Sequence, residues 1–278
     1  VLELIMSLPS LKRLDEEAAL TLLSLALKCP DAATAVLLIE HAEDLPLSRP
    51  TVVEAWLALG SSEAKGNSAT LAAWVGLESL KSVNSLENLL GTVRFEDHHR
   101  VFDLLAEAVS GRRMMLSTAE SANDIRSDVV TSNGKDIFLP ESVSRFDDQQ
   151  ENFDFYRVSL LHQLGFLEFG CFENISRVRS YLAEFSHLGL AEVVFSAVEN
   201  ARVDWLLEHY YPGIRKAMAT QKERAWSDRN KPLVSNLQQL LEALIGIGLD
   251  AHFEPRVREQ LIALTRTLWS CFAPVRLP

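Results

Sequence analysis

The sequence predicts a mainly α-helical protein, a multi-helix bundle with solenoid-like character and one small β-hairpin insertion around residues 112–140. Two observations carry that reading. Apolar residues recur three and four positions apart along most of the chain, the spacing of one helix face. After Gly111 the pattern gives way to short apolar runs joined through Asn133-Gly134, a pair suited to the positive φ angles of a tight hairpin.

In the first 110 residues, Asp15-Glu16-Glu17 starts a helix with acids where the N-terminal dipole favours them. Leu20, Leu23 and Leu27 continue it to a stop at Cys29-Pro30. A second helix starts at Asp31 and carries Val36, Leu37 and Ile39. Further helices are expected over Thr51–Leu59, Ser68–Lys81 and Phe95–Val109, with stops at Pro50, Gly60, Gly66 and Gly91. Successive short helix pairs suggest a solenoid-like stack, although no fixed repeat recurs.

Residues 111–145 form the insertion. Arg113–Ser117 and Asp136–Pro140 read as strands of a hairpin or three-stranded ribbon, closed by Pro140, which cannot donate to a ladder. Residues 146–278 return to helix, over Asn152–Phe169, Ile175–Phe185, Leu190–His209, Pro212–Ser227, Leu233–Ile247 and Pro255–Phe272. Gly170, Gly189 and the Tyr211-Pro212-Gly213 corner separate them, and Pro212 and Pro255 suit first turns. The three parts are expected to make one continuous domain.

Composition narrows the function. The chain has 278 residues, with 27 Lys+Arg against 38 Asp+Glu and a net charge of −11. A field of that sign repels a phosphate backbone, so nucleic acid is not an expected partner. Cys29, Cys171 and Cys271 are scattered and unpaired in motif, which fits a reduced, cytoplasmic setting. No apolar run reaches the ~20 residues of a membrane span, so no membrane insertion is expected. The Val1 start and Pro278 end suggest a piece of a longer protein.

Motifs for chemistry are sparse. No glycine-rich loop followed by Lys and a hydroxyl is present to cradle phosphates, and no G-x-S-x-G elbow exists. His162-Gln163-Leu164-Gly165-Phe166 sits on a helix as a zincin H-E-x-x-H would, with Glu199 downstream in the place of a third ligand. A working site needs a glutamate base beside the first imidazole and a second imidazole one turn on; here those positions hold Gln163 and Phe166. No catalytic, cofactor or metal residue is therefore assigned, and a degenerate zincin-like metallohydrolase is the rival reading. Asn152, His162, Glu168, Glu199 and Arg202 are expected to form a structural polar centre, since buried polar groups must find partners. Trp226, flanked by Arg224 and Arg229 in a charged segment, has the composition of a partner contact. The other reading of Trp226 is packing onto its own domain.

Several motifs then fall in order: Ile137-Phe138-Leu139-Pro140, Arg145-Phe146-Asp147, Glu151-Asn152-Phe153 with Tyr156, His162-Gln163, and Glu168-Phe169-Gly170. Val198-Glu199-Asn200-Ala201-Arg202-Val203-Asp204 and Tyr211-Pro212-Gly213 follow. This series resembles the N-terminal region of the NorD/CbbO family, adaptor proteins that partner MoxR-type AAA+ ATPases. The resemblance implies a helical domain that docks a hexameric MoxR-type ATPase to a client. The client is Rubisco, freed of inhibitory sugar phosphates, in CbbO-type members, which the Phe-rich Glu-Asn-Phe and Glu-Phe-Gly segments favour; it is nitric oxide reductase in NorD-type members. It also implies that the family's C-terminal von Willebrand factor A domain is absent from this chain. An unrelated helical scaffold is the remaining alternative.

Overall fold

The structure, a computed structural model, describes residues 13–118, 130–171, 173, 175–229 and 235–249. Among them the chain is mainly α, with eleven α-helices and a few short strands. No helix among them is long and apolar enough to cross a membrane. The chain divides into two units. One comprises the residues up to Val93 with Ser144–Asn152, and the other comprises Arg94–Val143 and the residues from Phe153 onward. The helix after Val93 belongs to the second unit. The short strands β1 (Val93–Arg94) and β5 (Ser142–Val143) lie where the chain passes between the units.

In the first unit, α1 (Glu16–Ala26) and α2 (Ala32–Glu40) start at the expected acids. Asp15 accepts from the Ala18 amide and Asp31 from the Thr34 amide, each at 2.8 Å, which satisfies donors that a helix start leaves bare. α3 (Pro50–Ala64) corrects two expected stops. Pro50 sits in the first turn, where a missing N–H costs nothing. Gly60 lies inside the helix, buried, at a point where a Cβ would fall 2.4 Å from Trp74 Cδ1, so only glycine fits there. The expected single helix over Ser68–Lys81 is two, α4 (Ser68–Val75) and α5 (Leu80–Leu89), broken at Gly76-Leu77. Leu77 takes a left-handed φ of 53°, and Ser79 caps α5 by accepting from Ser82 N.

The core of this unit gathers Leu22, Leu25, Leu38, Ile39, Val53 and Trp56 with Trp74 and Leu86. Both indoles are satisfied: Trp56 Nε1 donates to Ser82 O at 2.9 Å and Trp74 Nε1 to Trp56 O at 3.2 Å. The returning segment 144–152 is tied in by Arg49, whose Nη2 donates to Ser144 O at 2.7 Å. Asn152 completes it. Fully buried, it donates to Gly91 O and Phe146 O, each at 2.8 Å, and accepts from Phe146 N at 2.9 Å. Alanine there strands three backbone groups, so Asn152→Ala lowers unfolding free energy by about 2–4 kcal/mol. Denaturant melts check this, and a loss within error of zero contradicts it.

In the second unit, α6 (Phe95–Ser110) packs Phe95 and Phe102 with Phe153 and Tyr156. The Phe102 centroid lies 5.5 Å from that of Phe153 and 5.3 Å from that of Tyr156. Tyr156 OH donates to Pro140 O at 2.8 Å, and burial raises its pKa. The insertion is a three-stranded sheet ordered β2 (Met115–Thr118), β4 (Asp136–Leu139), β3 (Thr131–Ser132). β3 and β4 form the expected antiparallel hairpin. β2 instead pairs parallel to β4, Leu116 beside Ile137. At the turn, Gly134 takes φ 88° while Asn133 uses its side chain, accepting from Lys135 N and Asp136 N.

The helices that follow are α7 (Gln149–Glu168), α8 (Ile175–Leu182), α9 (Leu188–Tyr210), α10 (Arg215–Ser227) and α11 (Asn236–Gly248). Pro212 opens a single 3-10 turn, Pro212–Ile214, ahead of α10. The helix expected over Pro255–Phe272 lies outside the described residues.

Candidate functional site

Three helices of the second unit meet at the residues that the sequence singles out. α7 and α9 approach closely at Gly165, where a Cβ would stand 2.7 Å from Val203 Cγ1. One turn before it, His162 reaches α9 between two residues spaced i and i+4, hence on one face. His162 Nδ1 lies 2.7 Å from Asp204 Oδ1, and Nε2 lies 2.7 Å from Asn200 Oδ1. Asn200 is oriented by its own Nδ2, which donates to Ser196 O at 2.6 Å, so its oxygen faces the ring. Two acceptors on one imidazole favour the doubly protonated form.

Burial by itself pulls the His162 pKa down. The hydrogen bond and charge of Asp204, with the bond to Asn200, outweigh that pull, and Lys222 opposes them only in part. The pKa therefore rises above 6.5. The chain of charges continues into α10: Lys222 Nζ lies 3.9 Å from Asp204 Oδ2 and donates to Glu208 Oε1 at 2.7 Å. Phe166, at the position a second zinc ligand would need, instead sets its ring edge-on to the imidazole, 4.9 Å between centroids.

Glu199 and Arg202 form a separate cluster on α9. Arg202 Nε and Nη2 donate to Glu199 at 2.9 and 2.6 Å, and Nη2 also reaches Phe169 O and Cys171 Sγ, each at 3.2 Å. That fork fastens α9 to the chain leaving α7. Burial and then the Glu199 carboxylate push the Cys171 thiol up to about 12, against an opposing effect from Arg202. Burial raises the Glu199 carboxyl, but bonds from Arg202 and Cys171 more than reverse this and hold it below its ordinary value. Glu168 lies apart and exposed, where both of its oxygens accept from Tyr211 OH at 2.9 Å. Burial and this carboxylate move the Tyr211 pKa to about 12.

The single polar centre expected from Asn152, His162, Glu168, Glu199 and Arg202 is therefore four local arrangements. Asn152 serves the first unit and the other four serve the second. What sequence reasoning missed was the partners of His162. Asp204 and Asn200 lay inside the quoted motif, and their i, i+4 spacing was the available signal. Lys222 gave no signal beyond its place in the row Met218, Lys222, Trp226.

That row also corrects the expected partner contact. Trp226 is 9 % exposed and shares the buried face of α10 with Ala217, Met218 and Lys222. Arg229 is spent on Glu242 of α11, which accepts from Nε at 2.9 Å and Nη2 at 2.7 Å. Arg224 alone of the three is exposed. An indole already packed inside its own unit is not available to anchor another protein.

Beside His162 opens a cleft of about 570 Å³ within the second unit, with Val193, Ala197, Ile245 and Leu249 among its walls. Among the described residues, no group of three or more His, Cys, Asp or Glu is placed to hold a metal ion. His98 and His99 diverge as adjacent helical residues do: His98 packs on Phe102 and Phe153, while His99 Nδ1 faces Asp103 at 3.2 Å. Both ring nitrogens of His162, and Nε and Nη2 of Arg202, have internal partners, so these two clusters fasten helices. Compared with protein families, with curated proteins and with solved structures, the chain finds no match.

Proposed function

We propose that this chain is a non-catalytic adaptor domain that docks a hexameric MoxR-type AAA+ ATPase to a client protein in the cytoplasm. The client of first choice is Rubisco, for release of inhibitory sugar phosphates. The ATPase does the chemical work, and this domain anchors or transmits it. One observation supports the reading: five of the polar residues in the quoted motifs bond to one another within the second unit, His162 with Asp204 and Asn200, Arg202 with Glu199. A domain whose distinctive polar groups hold its own helices together offers partners a surface rather than a reactive centre. A fastened three-helix seam also suits a part that must bear force without deforming.

The test is to mix the purified chain with a MoxR-type hexamer, with ATP, with ADP and without nucleotide, and to follow association by size-exclusion chromatography. Co-migration in at least one nucleotide state is expected. Absence of a complex in every state favours an unrelated helical scaffold. Stoichiometric zinc at His162 with turnover of a substrate favours the metallohydrolase instead.

A further inference from the structure

The cleft beside His162 is a groove that follows one face of α9. Gly189, Val193, Ala197, Ala201 and Asp204 line it at steps of four and three. That run rises about 22 Å along the helix axis. Ile245 and Leu249 of α11 form another wall, and all of these residues belong to the second unit. Val193, a large apolar side chain on the groove, is 46 % exposed. Folded interiors hold few gaps larger than a water molecule, so a groove of about 570 Å³ along four turns of helix has the shape of a seat for a further helix.

The sequence that follows matches this groove in position, pattern and length. Leu249, on its wall, is the last described residue, and residues 250–278 continue from it. Val257, Leu261, Leu264, Leu268 and Phe272 fall at i, i+4, i+7, i+11 and i+15, one face of a helix. Glu259, Arg266 and Ser270 fall on the opposite face. Residues 250–254 make a connection of ordinary length between the helices of a bundle. From Pro255 to Phe272 a helix rises about 26 Å, close to the run along α9. Charge agrees as well: Arg256, Arg258 and Arg266 outnumber Glu259 on the segment. On the groove Glu192 is exposed, while Arg229 is already spent on Glu242.

We propose that residues 255–272 of this same chain dock in the groove as an amphipathic helix. Their apolar stripe lies against α9 and α11, as an amphipathic helix lays its apolar face in a groove. The docked segment covers the side of the seam where His162 meets Asn200 and Asp204. The outward surface there is then Glu259, Arg266 and Ser270, so the groove is closed to small ligands and to partner helices while the segment is seated. The proposal is independent of the adaptor reading and stands or falls apart from it.

The experiment uses the full chain with the photo-crosslinker benzoylphenylalanine in place of Val193, which is exposed enough to accept it. After irradiation, the cross-linked peptides are read by mass spectrometry from the monomer band. Cross-links from position 193 to peptides within 255–272 are expected. In parallel, the Ser196→Cys and Ser180→Cys chains are alkylated, each rate taken relative to that of the same thiol in denaturant. Ser196 lines the groove and Ser180 is exposed on α8, so the thiol at 196 is expected to react at least about tenfold more slowly. Adding Leu261→Asp with Leu268→Asp is expected to abolish the cross-links and to release the thiol at 196, with Cys171 still slow because the unit stays folded. Cross-links only to other parts of the chain or to a second copy, or no cross-link at all, overturn the proposal. Equal relative rates at 196 and 180 overturn it too. If the paired Asp variant unfolds, shown by fast alkylation of Cys171, the cross-link map and the rates of the unaltered segment decide by themselves.

Discussion

Replacing Asp204 with alanine is expected to destabilise the chain by about 3–5 kcal/mol, because it leaves two partly desolvated cations without the carboxylate between them. The side chains of His162, Asp204 and Lys222 are 19 %, 13 % and 10 % exposed, so water replaces the lost charge poorly. The same geometry makes stability depend on pH. His162 has a folded-state pKa raised above its ordinary 6.5. Its protonation therefore stabilises the fold in full below about 6.5, and that contribution fades as pH climbs through the raised folded value. The wild-type advantage over a His162→Gln variant shrinks across that interval, as thermal melts at stepped pH would record. A double replacement, His162→Leu with Asp204→Leu, costs less than Asp204→Ala alone, since the imidazolium is gone and Lys222 keeps Glu208 as its counterpart. A cost equal to or above the single replacement contradicts this assignment.

Arg202→Ala is expected to cost about 2–4 kcal/mol by stranding Glu199, whose side chain is 15 % exposed, and by unfastening Phe169 O. Chemical denaturation measures it; a change under about 0.5 kcal/mol would put Arg202 among ordinary surface residues. The cluster also sets cysteine reactivity. With its pKa moved to about 12, Cys171 carries almost no thiolate near neutrality and is alkylated slowly. Glu199→Gln removes a charge that suppresses the thiolate and leaves Arg202 favouring it. Alkylation of Cys171 in that variant therefore speeds up, followed by mass spectrometry of the labelled peptide. An unchanged rate contradicts the pairing of thiol and carboxylate.

Features decided within a few residues were legible in the sequence. Asp15 and Asp31 announce α1 and α2 because a side-chain acceptor beside bare amides acts locally. Asn133-Gly134 announces the β3–β4 hairpin for the same reason. Where distant residues decide, local reading failed. Gly60 looked like a stop, yet it is a helical glycine whose missing side chain makes room for Trp74 from the next helix. The three-stranded ribbon is present, but its β2 strand aligns parallel to β4, which no turn signal announces. Trp226 was open to two readings, a partner contact or packing onto its own domain, and the second holds: it is buried beside Lys222, which Glu208 and Asp204 draw inward. The resemblance picked out His162 and the run Glu199–Asp204 as important. The i, i+4 spacing puts Asn200 and Asp204 on one face of α9, but that His162 is what meets this face depends on the close α7–α9 crossing at Gly165.

Long-range ¹⁵N spectra of the imidazoles, recorded across pH with and without one equivalent of zinc, test most directly whether His162 fastens helices or performs chemistry. Both ring nitrogens of His162 should stay protonated to a pH above 6.5, held by Asp204 and Asn200, with no response to zinc near neutrality. A neutral ring at that pH, with one bare nitrogen that shifts on adding the metal, would mean that His162 is a ligand and the adaptor interpretation is wrong.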